Sequence, residues 1–139
     1  MYVDTSVVVK LFTREPDSQA CESIVGDAPL VSSELLYCEF NSALLAKERA
    51  RVISPEARAA VWQEFERSLT DRRIKLVPLS GSVARIASQI LTALHPGVAL
   101  RTLDALHLAT FRGIQSGPLF TKDKRMRQAS RLLNFALVD

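Results

Sequence analysis

Four carboxylates in this chain sit among apolar neighbours in a pattern that suits the binding of a hard cation. Asp4 follows the β-prone pair Tyr2-Val3 and precedes a second apolar run, while Asp123 follows Pro118-Leu119-Phe120-Thr121. Glu39 lies in LLYCEFNSALLA with Leu35 and Leu36 one turn before it and Ala43 one turn after; Asp104 lies in LRTLDALHLAT between Leu100 and Leu108. An ionised carboxylate on an apolar face is costly unless it is paired or coordinated. A cluster of such groups also repels itself, and a divalent cation removes the repulsion. Oxygen-only ligation suits Mg²⁺ or Mn²⁺, with water and a substrate phosphate completing the coordination. Zinc would call for Cys or His, and neither His95 nor His107 has a partner at ligand spacing. His107, three residues after Asp104, reads as a structural or supporting residue.

Each acid also has a plain structural reading. Asp4 and Asp123 can cap the helices that follow them, Asp104 suits the first turn of a helix beginning at Thr102, and Glu39 can snorkel from a helix edge. Their joint placement favours a site. Two acids end strands, and two more project from apolar helices that must pack on the same sheet. Such a cation flanked by Lys and Arg points to phosphodiester cleavage, because the metal lowers the pKa of a bound water and stabilises charge on the attacked phosphate.

The elements that must carry these residues alternate. Strands are expected at Tyr2-Val3, Leu30–Ser33, Ile74–Leu79, Pro118–Thr121 and Phe135–Val138. Between them helices are expected over Val7–Phe12, from Asp17 or Ser18 to Val25, Glu34–Ala50, Glu56–Asp71, from Ser80 or Ser82 to Leu94, Thr102–Arg112 and Lys124–Leu133. Ser54-Pro55 is a helix start of the capping kind, and His95-Pro96-Gly97 is a stop. Alternating strands and helices predict an α/β fold with a parallel sheet of about four to five strands, covered on both faces. In such sheets the ligand crevice lies beyond the carboxyl ends of the strands, where Asp4 and Asp123 fall.

The 139 residues suit a single domain, 1–139, with 47% hydrophobic residues, 24% charged residues and no apolar stretch long enough to cross a bilayer. No export leader is read at the start and Cys21 and Cys38 form no disulfide framework, so a cytoplasmic protein is expected. The net charge of +3 implies little by itself. Its distribution says more, since basic residues cluster at Lys47, Arg49 and Arg51, at Arg72, Arg73 and Lys75, and at Lys122, Lys124, Arg125, Arg127 and Arg131. Taken alone such clusters are solvated faces; beside a metal site they can hold a nucleic-acid backbone.

On YVDTSVVVKLF, LLYCEFNSALL, RTLDALHLAT and LFTKDKRM, in that order, essentially the whole chain resembles the PIN-domain ribonucleases, and in length and layout the VapC-type toxins of toxin–antitoxin pairs. The resemblance implies a three-layer α/β/α fold, with Asp4, Glu39 and Asp104 as the core metal-binding acids and Asp123 as the fourth, more variable one. Thr5 or Ser6, and Thr121, match hydroxyl positions that help to orient metal, water or carboxylates. It further implies Mg²⁺- or Mn²⁺-dependent endonucleolytic cleavage of RNA, inhibition of translation, and a homodimer held inactive by a cognate antitoxin. Asp4, Glu39 and Asp104 are then expected to hold the principal metal directly or through water, with Asp123 completing the pocket or binding a second ion. The expected attacking group is metal-bound water, with a carboxylate taking its proton. Lys122, Lys124, Arg125 and Arg127 are candidate RNA contacts, with a solvated helix face and an antitoxin surface as the other readings. Only Met1, Tyr2 and Val3 precede Asp4, so the first strand is close to minimal.

Other readings fit less well. A phosphoacceptor domain would show an acid beside Asp4, whereas Thr5 and Ser6 follow it, and a haloacid-dehalogenase-type phosphatase would place an aspartate at position 6. A catalytically silent PIN-fold module that only binds RNA or protein is the remaining alternative, and the presence of all four acids argues against it.

Overall fold

Capping side chains start the helices that follow the first, third and fourth strands. In the computed structural model, which describes residues 1–114 and 117–138, β1 (Tyr2–Val3) ends at Asp4, whose extended backbone and side chain cap α1 (Thr5–Phe12). Then follow α2 (Ser18–Val25), β2 (Leu30–Ser33), α3 (Leu35–Arg49), α4 (Pro55–Thr70), β3 (Ile74–Val77), α5 (Gly81–Leu94), α6 (Thr102–Ile114), β4 (Leu119–Phe120) and α7 (Lys124–Leu132). Ser54 and Ser80 accept from the backbone N–H three residues on and so start α4 and α5, while Pro55 occupies a helical position where no N–H is needed.

The four strands lie in the order β3-β2-β1-β4, all parallel, with Tyr2 opposite both Val31 and Leu119 and Val3 opposite Phe120. Parallel neighbours require crossovers, and the helices supply them on both faces, giving the α/β/α layering. Side chains alternate across the sheet. Val3 and Phe120 therefore join the core with Val7, Phe40, Leu44 and Phe65 of α1, α3 and α4, whereas Tyr2 and Leu119 join Ile90, Leu108 and Met126 of α5, α6 and α7. Tyr2 and Val3 are fully buried, as a strand covered on both faces must be.

Three expected strands are shorter than the sequence pattern implies, among them the one expected over Pro118–Thr121, which is β4 over Leu119–Phe120. The third strand stops at Val77 because Pro78 has no N–H to continue the ladder. The expected strand Phe135–Val138 reduces to a single parallel bridge, Leu137 beside Leu119, held by Leu119 N–H donating to Ala136 O at 2.8 Å and Val138 N–H donating to Leu119 O at 2.9 Å. β4 itself extends over only two residues, so it offers the terminal segment a very short edge.

Candidate active site

All four acids line one pocket of about 90 Å³ beyond the carboxyl ends of β1 and β4, together with Thr5, Ser6, Arg101, His107 and Met126. Each arrives on a different element, and the cap chemistry explains how the strand-end acids are aimed. Asp4 serves as a cap and as a pocket residue at once. Its Oδ1 accepts from Ser6 Oγ at 2.7 Å and from Val7 N–H at 3.4 Å, and its Oδ2 accepts from Thr121 Oγ1 at 2.7 Å. The same two hydroxyls accept from the β4 exit, Ser6 Oγ from Lys122 N–H at 2.9 Å and Thr121 Oγ1 from Asp123 N–H at 3.1 Å. Ser6 and Thr121 thus stitch the ends of the neighbouring strands β1 and β4 together and orient Asp4, while Thr5 donates to Glu39.

Asp123 divides its oxygens between two tasks. Oδ1 caps α7, accepting from Arg125 N–H at 2.8 Å and Met126 N–H at 2.9 Å, and Oδ2 accepts from Arg101 Nη2 at 3.0 Å. Asp104, in the first turn of α6, reaches back to the residue before the helix: Oδ2 accepts from Arg101 N–H at 3.3 Å and Arg101 Nε at 2.8 Å, and Oδ1 accepts from Arg101 Nη2 at 3.1 Å. This fork and the backbone bond together form half of a capping box.

Glu39, on α3, is half-buried, and Oε2 takes both of its donors, Thr5 Oγ1 and His107 Nε2 at 2.7 Å. Behind His107, the Tyr2 hydroxyl lies 2.8 Å from Nδ1. Burial and the charge of Asp4 push the Tyr2 phenol well above its ordinary value, so it stays a neutral hydroxyl paired with Nδ1. Because the ionised Glu39 carboxylate can only accept, Nε2 carries a proton aimed at it. His107 therefore supports a different acid from the one it neighbours in sequence.

The electrostatics of the acids diverge. Asp4 is 4% exposed, and its burial raises its pKa against the lowering effects of Ser6, His107, Thr121 and Val7. Burial also acts to raise Glu39, but the bonds from His107 and Thr5 and the charge of Arg101 outweigh it and hold the group below the usual range. Oxygen donors from four carboxylates suit a hard divalent cation in kind. As they stand, however, no three Asp, Glu, His or Cys side chains among the described residues converge closely enough to hold an ion. Arg101 lies on two of the acids instead. This arginine stands within RTLDALHLAT, and its spacing of three residues before Asp104 at a helix start was the signal available in the sequence.

A groove of about 540 Å³ adjoins the pocket, sharing Thr5, Ser6 and Asp123 and adding Lys10, Glu15, Asp17 and Lys122. Lys10 Nζ is 2.6 Å from both Glu15 and Asp17, and Lys47 Nζ is 2.7 Å from Glu15. Of the candidate RNA contacts, Lys122 lies over the Phe120 ring and 3.5 Å from Asp17, and Lys124 and Arg125 are exposed in the first turn of α7. Arg127 turns inward, donating from Nη1 to Thr121 O at 3.3 Å and to Val138 O at 2.8 Å. A separate cleft of about 440 Å³ between α1, α2 and α4 has only exposed charged residues, Glu22, Glu64, Arg67, Asp71 and Arg73, and lacks the buried acids of the first pocket.

The molecule resembles proteins of known fold and name. Ribonuclease VapC46 of Mycobacterium tuberculosis is 36% identical over 142 residues, covering 99% of this chain and 95% of that protein. The crystal structure of Mycobacterium tuberculosis VapC20, described as a sarcin–ricin loop cleaving toxin, superposes with a TM-score of 0.74 at 16% identity, covering 99% of this chain and 97% of that one. A toxin–antitoxin complex from Klebsiella pneumoniae gives a TM-score of 0.59 at 17% identity, covering 89% of this chain and 88% of that one. The profile of the PIN domain matches residues 1–132, and with it the chain belongs to the PIN domain family.

Proposed function

We propose that this chain is an RNA-cleaving toxin of a toxin–antitoxin pair, a Mg²⁺- or Mn²⁺-dependent endoribonuclease whose catalytic and metal-binding residues are Asp4, Glu39, Asp104 and Asp123. The observation that carries the reading is the arrival of four acids from separate elements in one pocket at the carboxyl edge of a parallel sheet. The ribonuclease name of a relative 36% identical over nearly the whole chain supports the reaction class.

A bound Mg²⁺ or Mn²⁺ supplies activation of water and neutralisation of charge at the attacked phosphate. The chain's own residues set the stage. Asp4, Glu39 and Asp104 offer carboxylate oxygens to the ion, and Asp123 completes the acidic wall. Glu39, with both donors on Oε2, has Oε1 to offer and is ionised at neutral pH. One of the four acids takes the proton of the attacking water, and Asp4 enters the pocket fixed by hydrogen bonds from Ser6, Val7 and Thr121. Ser6 and Thr121 keep its oxygens from turning away. Lys122, Lys124 and Arg125 present cations beside Asp123 for the phosphates flanking the scissile bond, while Arg127 ties the Thr121 carbonyl to that of Val138. The Thr121 hydroxyl links the Asp4 carboxylate to the backbone of Asp123. A cognate antitoxin and a second copy of the chain are the protein partners in this reading, and the cell interior is its setting; no helix among the described residues is long and apolar enough to cross a membrane.

One observation favours the silent binding module instead: Arg101 already neutralises two of the acids. Incubating purified, partner-free protein with total RNA and Mg²⁺ or Mn²⁺, beside Asp4→Asn and Asp104→Asn, decides between them. Cleavage is expected from the unaltered chain alone and is abolished by chelation. Equal cutting by all three proteins, or indifference to chelator, would remove the site from the reaction.

A further inference from the structure

Arg101 is the residue of the pocket that the proposed chemistry leaves unexplained. Its guanidinium forks onto both oxygens of Asp104 at 2.8 and 3.1 Å and reaches Asp123 Oδ2 at 3.0 Å, so one side chain bridges acids on α6 and at the start of α7. These are the lone pairs a divalent cation would need.

We propose that Arg101 is a built-in cation that holds Asp104 and Asp123 together in the metal-free chain and is displaced from them when a divalent ion enters. The inference rests on the metal-dependent reading of the pocket. Guanidinium and metal ion cannot share the same carboxylate oxygens at full strength, because their like charges repel and the lone pairs are few. Burial decides which partner yields. The Arg101 side chain is 60% exposed, against 9% for Asp104 and 24% for Asp123. The arginine can return to water at little cost, whereas the acids cannot be left without a counter-charge. The acids therefore stay and the arm moves. This also accounts for the absence of a ready-made ligand group among the described residues, since the acids are arranged around a planar fork rather than around a sphere.

The exchange lowers the chain's apparent affinity for metal, because each ion that binds must first break the bridge. Removing the guanidinium removes that competition and one positive charge beside a divalent ion. Calorimetric titration of Mn²⁺ into the unaltered chain, R101Q, R101K and D104N tests this. R101Q is expected to bind about tenfold more tightly than the unaltered chain. R101K, which keeps the charge without the bidentate fork, should fall between them. A second measurement needs no variant. In chelator the Arg101 Nε–H resonance should exchange slowly with water, and saturating Mg²⁺ should shift it and make its exchange fast.

The outcomes separate the two readings. If the unaltered chain and D104N take up Mn²⁺ equally, no metal sits on Asp104 and both the metal-dependent reading and the role of Arg101 fall. If D104N loses the ion but R101Q binds it no more tightly than the unaltered chain, the metal site stands and the displacement of Arg101 is overturned. An Nε–H resonance unmoved at saturating Mg²⁺ overturns it equally.

Discussion

Replacing Asp4 by Asn should make the metal-free protein more stable at neutral pH while ending catalysis. Asp4 is 4% exposed and its pKa is raised, so burial outweighs Ser6, Thr121 and the Val7 N–H as an influence on the carboxylate. An Asn of the same shape keeps Oδ1 for Ser6 and Val7. Its Nδ2 would face Thr121 Oγ1, which already accepts from Asp123 N–H and must take a second donor, leaving the Thr121 proton without Asp4. That orphaned hydroxyl costs about 1 kcal/mol. Against it stands the removal of a buried charge, a penalty of several kcal/mol in real proteins that hydrogen bonds only partly relieve. The balance is a gain of roughly 1–2 kcal/mol, or about 3–8 °C in melting temperature for a chain of this size.

The sign of the pH dependence follows from the direction of the shift. A carboxyl whose folded pKa lies above its unfolded value favours folding below about pH 4, where both states hold the proton, and loses that advantage as pH rises through the folded value. The Asn side chain does not titrate. Its advantage should therefore be small near pH 3.5 and full at pH 7, measured by thermal melts in chelator. Adding Mg²⁺ should raise the melting temperature of the unaltered chain by mass action and narrow the gap. An Asn variant less stable at pH 7, or one with the same advantage at both pH values, would refute the account of Asp4 as a charge held at the expense of stability.

Two other perturbations probe the supports. Glu15 is held below the usual carboxylate range first by its bond from Lys10 and then by that from Lys47, so its stabilisation is present above about pH 4.3 and lost as pH falls through the folded value. Urea denaturation should find Glu15→Gln about 1 kcal/mol less stable at pH 7 and nearly equal to the unaltered chain at pH 3; a gap independent of pH would deny the ion pairs their role. Tyr2→Phe removes the hydroxyl partner of His107 Nδ1, and should cost about 1–2 kcal/mol of stability and lower kcat more than it raises KM, because His107 would no longer hold Glu39 in one orientation. An unchanged kcat would show that the Tyr2–His107 pair serves packing alone.

The family of the molecule and the identity of its acids were open to sequence reasoning because they rest on local rules. Strand and helix alternate with clear caps at Ser54, Ser80 and Asp123, and apolar periodicity marks the faces of α5 and α6. Asp4 and Asp123 each cap a helix as the sequence predicts, and each also lines the pocket. The terminal segment departs from its local pattern. Phe135–Val138 has the composition of a strand, but composition does not reveal that the strand it bridges to, β4, is two residues long.

What the residues determine locally is the parts: which segments coil, which extend, where carboxylates must find partners. Which partners they find was decided by the fold. Thr121 meets Asp4 across 117 residues, His107 meets Glu39 across 68, and Arg101 reaches Asp123 across 22. None of these separations has a helical or strand period. They are set by parallel register and by the crossovers that bring the ends of β1 and β4 side by side, with α3 and α6 laid over opposite faces of the sheet. Four acids could be named from their neighbours; only the packed sheet could place an arginine between two of them.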